Sequence, residues 1–306
     1  MIAVMASCSA PKNDKLQILV SPKGLTQNFW LKVKAGAEAA GKDLDVQVVW
    51  KGPQSELDIA GQIGMVEDYI NKKVDGIVLA ACDTKGLVPT IEKALAARIP
   101  LVTIDSGVDS DLPASFIATD NILGASMAAD KLAELLKGEG EVGCIPIVPG
   151  AATSIMREQG FKERLPKYPG IKLVAVQYSQ SEVATAMSVT ENILTANPNL
   201  AGLFAASEAG TIGCAQALIS RGVAGKVKLV GFDASPDQIK LLRQGVVQAL
   251  IVQNPYQMGY QGVTSVVTLI KGGQVEKRID TGVTVVTMEN VDTPQIQQLL
   301  SPVEQN

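Results

Sequence analysis

The sequence predicts an α/β protein made of two Rossmann-like lobes with parallel sheets, and three observations carry that reading. Short apolar, β-branched runs alternate along the chain with amphipathic stretches of helical spacing. Strands that read as continuous apolar runs between helices belong to parallel sheets covered on both faces. The same wiring then occurs twice. Gly76-Ile77-Val78-Leu79-Ala80, a helix, and Ile99-Pro100-Leu101-Val102-Thr103-Ile104-Asp105 have a counterpart in the second half: Gly202-Leu203-Phe204-Ala205-Ala206, a helix, and Val227-Lys228-Leu229-Val230-Gly231-Phe232-Asp233. Finally, 306 residues suffice for two domains, each with its own core.

The elements follow in order. Residues 16–20 (LQILV) form the first strand, and 29–41 an alanine-rich helix with Trp30, Val33, Ala37 and Ala40 on one face. A strand over 46–50 precedes a helix over 58–72 that carries Ile59, Ile63, Val66 and Ile70. Strand 77–81, helix 87–97 and strand 101–104 complete the first series. The second comprises helix 122–136, strand 142–148, helix 154–165, strand 171–177, helix 184–196, strand 203–206, helix 211–220 and strand 227–232. A further apolar run ends at Gln253, and a short α/β stretch follows it. Ordinary sequence, not a low-complexity linker, joins the halves near Thr119-Asp120-Asn121, which points to several short crossings acting as a hinge.

Composition narrows the function. The chain has 27 Lys+Arg against 31 Asp+Glu, a formal charge of −4, and no histidine. An acidic chain is poorly suited to sequence-independent nucleic-acid binding. The missing histidine removes Ser–His–Asp and Cys–His catalysis and His-ligated zinc. The glycine-rich stretches form neither G-x-G-x-x-G nor a P-loop, which disfavours a nucleotide site. No enzyme activity, metal or cofactor is expected.

Cys82, Cys144 and Cys214 lie in apolar surroundings and read as buried thiols. Met5-Ala6-Ser7-Cys8-Ser9 resembles a bacterial lipoprotein cleavage site, followed by a short polar tether over residues 10–15. Only seven residues precede Cys8, fewer than an export signal needs. The expectation is a signal remnant over 1–15 with lipidation at Cys8; the alternative is a free terminal cysteine. No later run has the 18 or more apolar residues of a membrane span.

Ligands of open α/β sheets bind beyond the carboxyl ends of the strands. Asp105 and Asp233 each end a strand, one per half, where a carboxylate either accepts hydrogen bonds from hydroxyls or caps the next turn. Their equivalent positions favour the binding role. Aromatic residues are only 4 % of the chain, so the adjacent Phe29 and Trp30 at a strand–helix junction stand out as faces for a sugar ring or as core. Lys23 and Lys51 follow strands and either reach a ligand or lie exposed. The planar fork of Arg157 donates to ligand oxygens or pairs with Glu158 or Asp120. Ser207 and Gln253 also end strands.

Several segments carry a family resemblance: Asn28-Phe29-Trp30, Ile99 to Asp105, Ala118-Thr119-Asp120-Asn121, Arg157-Glu158-Gln159-Gly160-Phe161, Val230-Gly231-Phe232-Asp233 and Val252 to Gly259. In this order and spacing, the chain from about residue 16 resembles the type I, ribose-binding-like periplasmic sugar-binding proteins of bacterial ABC importers. The resemblance implies lobes over 16–119 plus 254–282 and 120–253 plus 283–306, joined by three crossings and closing on a monosaccharide or polyol. It places an aromatic sandwich on Phe29, Trp30 and Phe232, and charged hydrogen-bonding groups on Asp105, Arg157 and Asp233. Gln253 and Thr119 fall at the hinge, and an asparagine falls on Gln27 or Asn28.

Departures bear on the sugar. Family asparagines fall on Ala81 and Ser207, and a stacking phenylalanine on Ser181. Pro22-Lys23-Gly24 and Gly52-Pro53 look like the branch that binds rhamnose or a furanosyl autoinducer, where such a lysine contacts ligand. A sugar, deoxysugar or polyol other than ribose is therefore expected. The implied setting is a periplasmic or cell-surface monomer, lipid-anchored, that partners an ABC permease. A sugar-responsive repressor shares this core but also needs an N-terminal helix-turn-helix, for which the residues before the first strand leave no room.

Overall fold

A computed structural model describes residues 15–301 of the chain. The first lobe opens with β1 (Gln17–Ser21), α1 (Asn28–Asp43), β2 (Gln47–Trp50), α2 (Ile59–Asn71), β3 (Gly76–Leu79), α3 (Val88–Ala96), β4 (Leu101–Ile104) and β5 (Phe116–Ala118). The second contains α4 (Asn121–Leu135), β6 (Glu139–Ile145), α5 (Ala152–Arg164), β7 (Gly170–Val176), α6 (Val183–Ala196), β8 (Leu200–Ala205), α7 (Glu208–Ser220), β9 (Lys228–Phe232), α8 (Pro236–Arg243) and β10 (Ala249–Gln253). The chain then returns through α9 (Pro255–Ile270) and β11 (Arg278–Asp280), and leaves again through β12 (Val283–Val286) and α10 (Pro294–Leu300).

Two six-stranded sheets result, ordered β11-β5-β4-β3-β1-β2 and β12-β10-β9-β8-β6-β7. All neighbours are parallel except β10 and β12. The central strands are buried on both faces, as continuous apolar runs require: Ile18, Leu19 and Val20 of β1, and Leu101 and Val102 of β4, are almost wholly inaccessible. The chain passes between the sheets three times, after β5, after β10 and after β11. Every parallel strand of either sheet therefore points its carboxyl end at the gap between the lobes.

The structure adds elements that the apolar runs did not announce. β5 is three residues long and carries no run of its own. Helix α8 has a readable start, since the Ser235 hydroxyl caps the Gln238 N–H, the Gln238 side chain caps in return, and Pro236 follows the cap. Where a short stretch was expected after Gln253, α9 runs for 16 residues from an Asn254 cap.

The length of α9 matters because it packs along α1 with the two backbones in contact. A Cβ added to Gly36 would sit 1.9 Å from the Tyr256 carbonyl oxygen, and one added to Gly259 2.0 Å from that of Val33. Across this seam α9 covers β3 and β4, with Val263, Val266 and Val267 in the same core as Ile18, Val78 and Val102. Cys82, Cys144 and Cys214 are free and buried, and burial pushes the thiols of Cys82 and Cys214 up to about 12. Among the described residues no helix is long and apolar enough to cross a membrane.

Two glycine variants separate these effects. Gly259→Ala must displace backbone and is expected to lower stability by about 1–3 kcal/mol or more in urea titration. Gly64→Ala, on the exposed face of α2 with nothing within 4 Å, is expected to gain up to about 1 kcal/mol. Equal behaviour of the two would remove the close helix contact from the account.

Candidate functional site

The site lies where the strand ends meet. After β4 and β9 the chain turns through Asp105 (φ 54°) and Asp233 (φ 74°), both in the left-handed region. Such a conformation is uncommon for a residue with a side chain, though aspartate adopts it more readily than most. Its recurrence at matching strand ends confirms the internal repeat. Asp233 Oδ1 accepts from Gln253 Nε2 at 2.7 Å, and its Oδ2 accepts from the Glu208 backbone N–H at 2.9 Å.

Lys23 comes from the β1–α1 loop and is 3 % exposed. Its ammonium lies 3.1 Å from Asp105 Oδ2 and 3.9 Å from Glu56, and donates to Thr153 Oγ1 of α5, across the cleft, at 3.1 Å. Burial works against this charge, but the Asp105 and Glu56 carboxylates outweigh it and hold the pKa above the ordinary lysine value. Arg157, 2 % exposed, donates through Nε to Asn121 Oδ1 (2.8 Å) and through Nη1 to the Ala206 carbonyl (2.7 Å). Its guanidinium lies over Phe232, 3.7 Å from the ring centroid. Burial lowers the Arg157 pKa and raises those of Asp233 and Glu208; the Asp233 charge pushes Glu208 further up.

Phe29 and Trp30 start α1 in an edge-to-face pair with centroids 4.9 Å apart, and the indole N–H donates to Glu56 at 3.0 Å. Around these groups is a narrow cavity of about 30 Å³. Lys23, Phe29, Trp30, Asp105, Arg157, Ser207, Asp233 and Gln253 line it together. Two buried acceptors in its wall have no hydrogen-bond donor, Gln253 Oε1 and Gln27 Oε1, while Asp105 Oδ2 has only the Lys23 ammonium. Each such group costs about 1–3 kcal/mol while it stays unsatisfied, so the cavity is built for a ligand that donates.

Three residues expected at the ligand do not line this cavity. Asn28 turns its amide towards Glu208 at 3.2 Å, so of the pair left open in the sequence it is Gln27 that lines the wall. Phe232 is wholly buried beneath Arg157 and acts as the floor under the guanidinium, not as an exposed stacking face. Thr119 donates to the Gly282 carbonyl at 3.1 Å, tying two of the crossings together. Ser207 reaches the wall but also caps α7 by accepting from the Gly210 N–H. Arg157 makes neither of the surface pairs considered for it, and Lys51 is exposed outside the cavity. Cys8 lies outside the described residues.

Sequence reasoning missed Glu56, Thr153 and Glu208, which also form the wall. Only Glu208 had a signal, as the residue next to Ser207 at the end of β8.

A family model described as a periplasmic binding protein domain matches residues 18–274. The chain belongs to the periplasmic binding protein family, in its type I, sugar-binding branch. Relatives of that branch match over nearly the whole chain. It is similar to the D-allose-binding periplasmic protein of Escherichia coli (strain K12), with 32 % identity over 90 % of each chain. Among solved structures, an Agrobacterium vitis ABC transporter solute-binding protein with bound D-fucose has 39 % identity and a TM-score of 0.90, covering 93 % of this chain and 99 % of its own. A carbohydrate transporter solute-binding protein from Agrobacterium radiobacter, in complex with D-arabinose, has 36 % identity and a TM-score of 0.92 over 94 % and 100 % of the two chains. The lobes and opposed strand ends described above are thus those of a class of solute-binding proteins.

The buried ions make a prediction that needs no ligand. Lys23→Met leaves Asp105 and Glu56 without their cation and is expected to cost up to about 3–5 kcal/mol in denaturant titration. Adding Asp105→Asn to it is expected to recover a substantial part. A full-strength loss in the double variant would show that Lys23 matters for packing and not for charge.

Proposed function

We propose that the protein captures a neutral monosaccharide or related polyol between its lobes and delivers it to an ABC transporter permease. The unsatisfied acceptors of Gln253 and Gln27, beside the buried carboxylates of Asp105 and Asp233, carry this reading, because hydroxyl groups are the donors that such a wall lacks. The charge of the wall supports neutrality in the ligand. Two cations, Lys23 and Arg157, face four carboxylates, Glu56, Asp105, Glu208 and Asp233. The cations are already engaged by protein oxygens, which leaves no surplus positive charge for a phosphate or a uronate. Phe29 and Trp30 supply the flat apolar face that the C–H side of a sugar ring packs against.

In this reading the lobes are residues 16–119 with 254–282, and 120–253 with 283–306, and ligand contacts from both favour the closed state. Asp105, Asp233, Arg157, Lys23 and Gln253 hold ring oxygens and hydroxyls, with Ser207 at the edge. The protein works as a periplasmic or cell-surface monomer, tethered by a lipid on Cys8; mass spectrometry of the membrane-extracted full chain tests the anchor. Lys23 inside the wall, beside Asp105, also favours a second ligand set, L-rhamnose and the furanosyl autoinducer.

A thermal-shift panel tests the assignment. Neutral pentoses, hexoses, deoxysugars and polyols, with D-allose, D-arabinose and D-fucose included, are expected to supply at least one ligand that raises Tm, by about 2.7 kcal/mol of stability at a hundred times its Kd. Uronates and sugar phosphates are expected to give no shift. Asp105→Ala and Asp233→Ala are each expected to abolish most of it. A shift by a nucleotide or an amino acid, with none from any sugar or polyol, would overturn the sugar reading.

A further inference from the structure

Helix α1 presents Phe29 and Trp30 to the cavity, yet its amino terminus is not capped by its own lobe. Its N-cap residue, Gln27, makes no side-chain cap hydrogen bond. The first N–H groups of a helix have no partner within the helix and must find one elsewhere. Those of Asn28 and Phe29 find it across the cleft. Glu208 Oε1 accepts from the Asn28 backbone N–H at 3.3 Å and from Asn28 Nδ2 at 3.2 Å, and Oε2 accepts from the Phe29 N–H at 3.2 Å. All three partners of this carboxylate belong to the opposite lobe. The residue is only 8 % exposed, and its backbone is fixed by its own N–H, donated to Asp233. Lys32, on the same helix, adds a second tie by donating to the Ala234 carbonyl at 3.1 Å.

We propose that Glu208 is a positioning residue of the closed state, a helix cap supplied in trans that completes α1 only when the lobes meet. Closure then fixes Asn28, Phe29 and Trp30 as a unit, so the aromatic wall reaches its final geometry together with the shut cleft. The proposal rests on the capture reading for what the closure serves, but the contact itself is made by protein groups alone. A carboxylate near a helix amino terminus is also favoured by the helix dipole, which adds to the three bonds.

Amide hydrogen exchange at residues 28 and 29 tests this, in wild-type protein, Glu208→Ala and Glu208→Gln. Without ligand, both amides are expected to exchange about tenfold faster in Glu208→Ala than in wild type, with Glu208→Gln between them, because one amide oxygen still accepts. The α1 interior from Val33 to Ala40 is expected to be unchanged, which a general loosening of the fold would not leave so. D-Allose and D-arabinose serve as probes, and a sugar that binds is expected to slow the two amides further in wild type and to lose about tenfold or more in affinity in Glu208→Ala. Equal exchange of both amides in wild type and variant, without ligand, would overturn the proposal whatever the sugar panel returned. If Glu208→Ala fails to fold by circular dichroism, Glu208→Gln against wild type decides the same question. A retained exchange difference with no sugar binding at all would sink the sugar reading and leave the trans cap standing.

Discussion

Six ionisable side chains are buried at the meeting point of two sets of strand ends, and the closed structure depends on their mutual satisfaction. A charge taken out of water is tolerated only with partners that replace its hydration. Lys23 has Asp105, Glu56 and Thr153; Asp233 has Gln253 and the Glu208 N–H; Arg157 has Asn121, the Ala206 carbonyl and the Phe232 ring. Asp233 and Arg157 are satisfied within their own lobe, whereas Thr153 for Lys23, and Asn28 and Phe29 for Glu208, are supplied from across the cleft. The network also leaves two acceptors open, Gln253 Oε1 and Gln27 Oε1.

Much of this was legible from sequence, for identifiable reasons. Parallel strands buried on both faces write themselves as unbroken apolar runs, which made β1, β3, β4 and β9 readable. Asp105 and Asp233 were readable because each closes such a run at the same place in a repeated unit. Phe29 and Trp30 drew notice through the scarcity of aromatic residues elsewhere. The short β5 escaped because three residues carry no period, and α9 was under-read although Asn254 and Pro255 mark its start.

What escaped at the site depended on contacts between loops far apart in sequence or across the cleft, which no local pattern encodes. Glu56 lies on a loop and gains its role from Trp30 and Lys23. Thr153 is unremarkable on α5 until Lys23 reaches it from the other lobe. Phe232 and Asn28 show the converse. Residue type and position were right for ligand contact, but Arg157 covers the ring and Glu208 takes the amide. In both cases a charged neighbour decided which way the side chain was used.

The glycine seam between α1 and α9 bears on how the chain reaches this fold. The face of β3 and β4 that α9 covers is made early in the sequence, whereas α9 emerges only after the whole second lobe. During synthesis the first five strands therefore lack a cover that lies more than a hundred residues downstream. The second lobe, by contrast, has its central strands and most of their helices in one uninterrupted segment. Assembly is ordered by this arrangement: the second lobe can consolidate by itself, and the first is finished last, by a helix from beyond it.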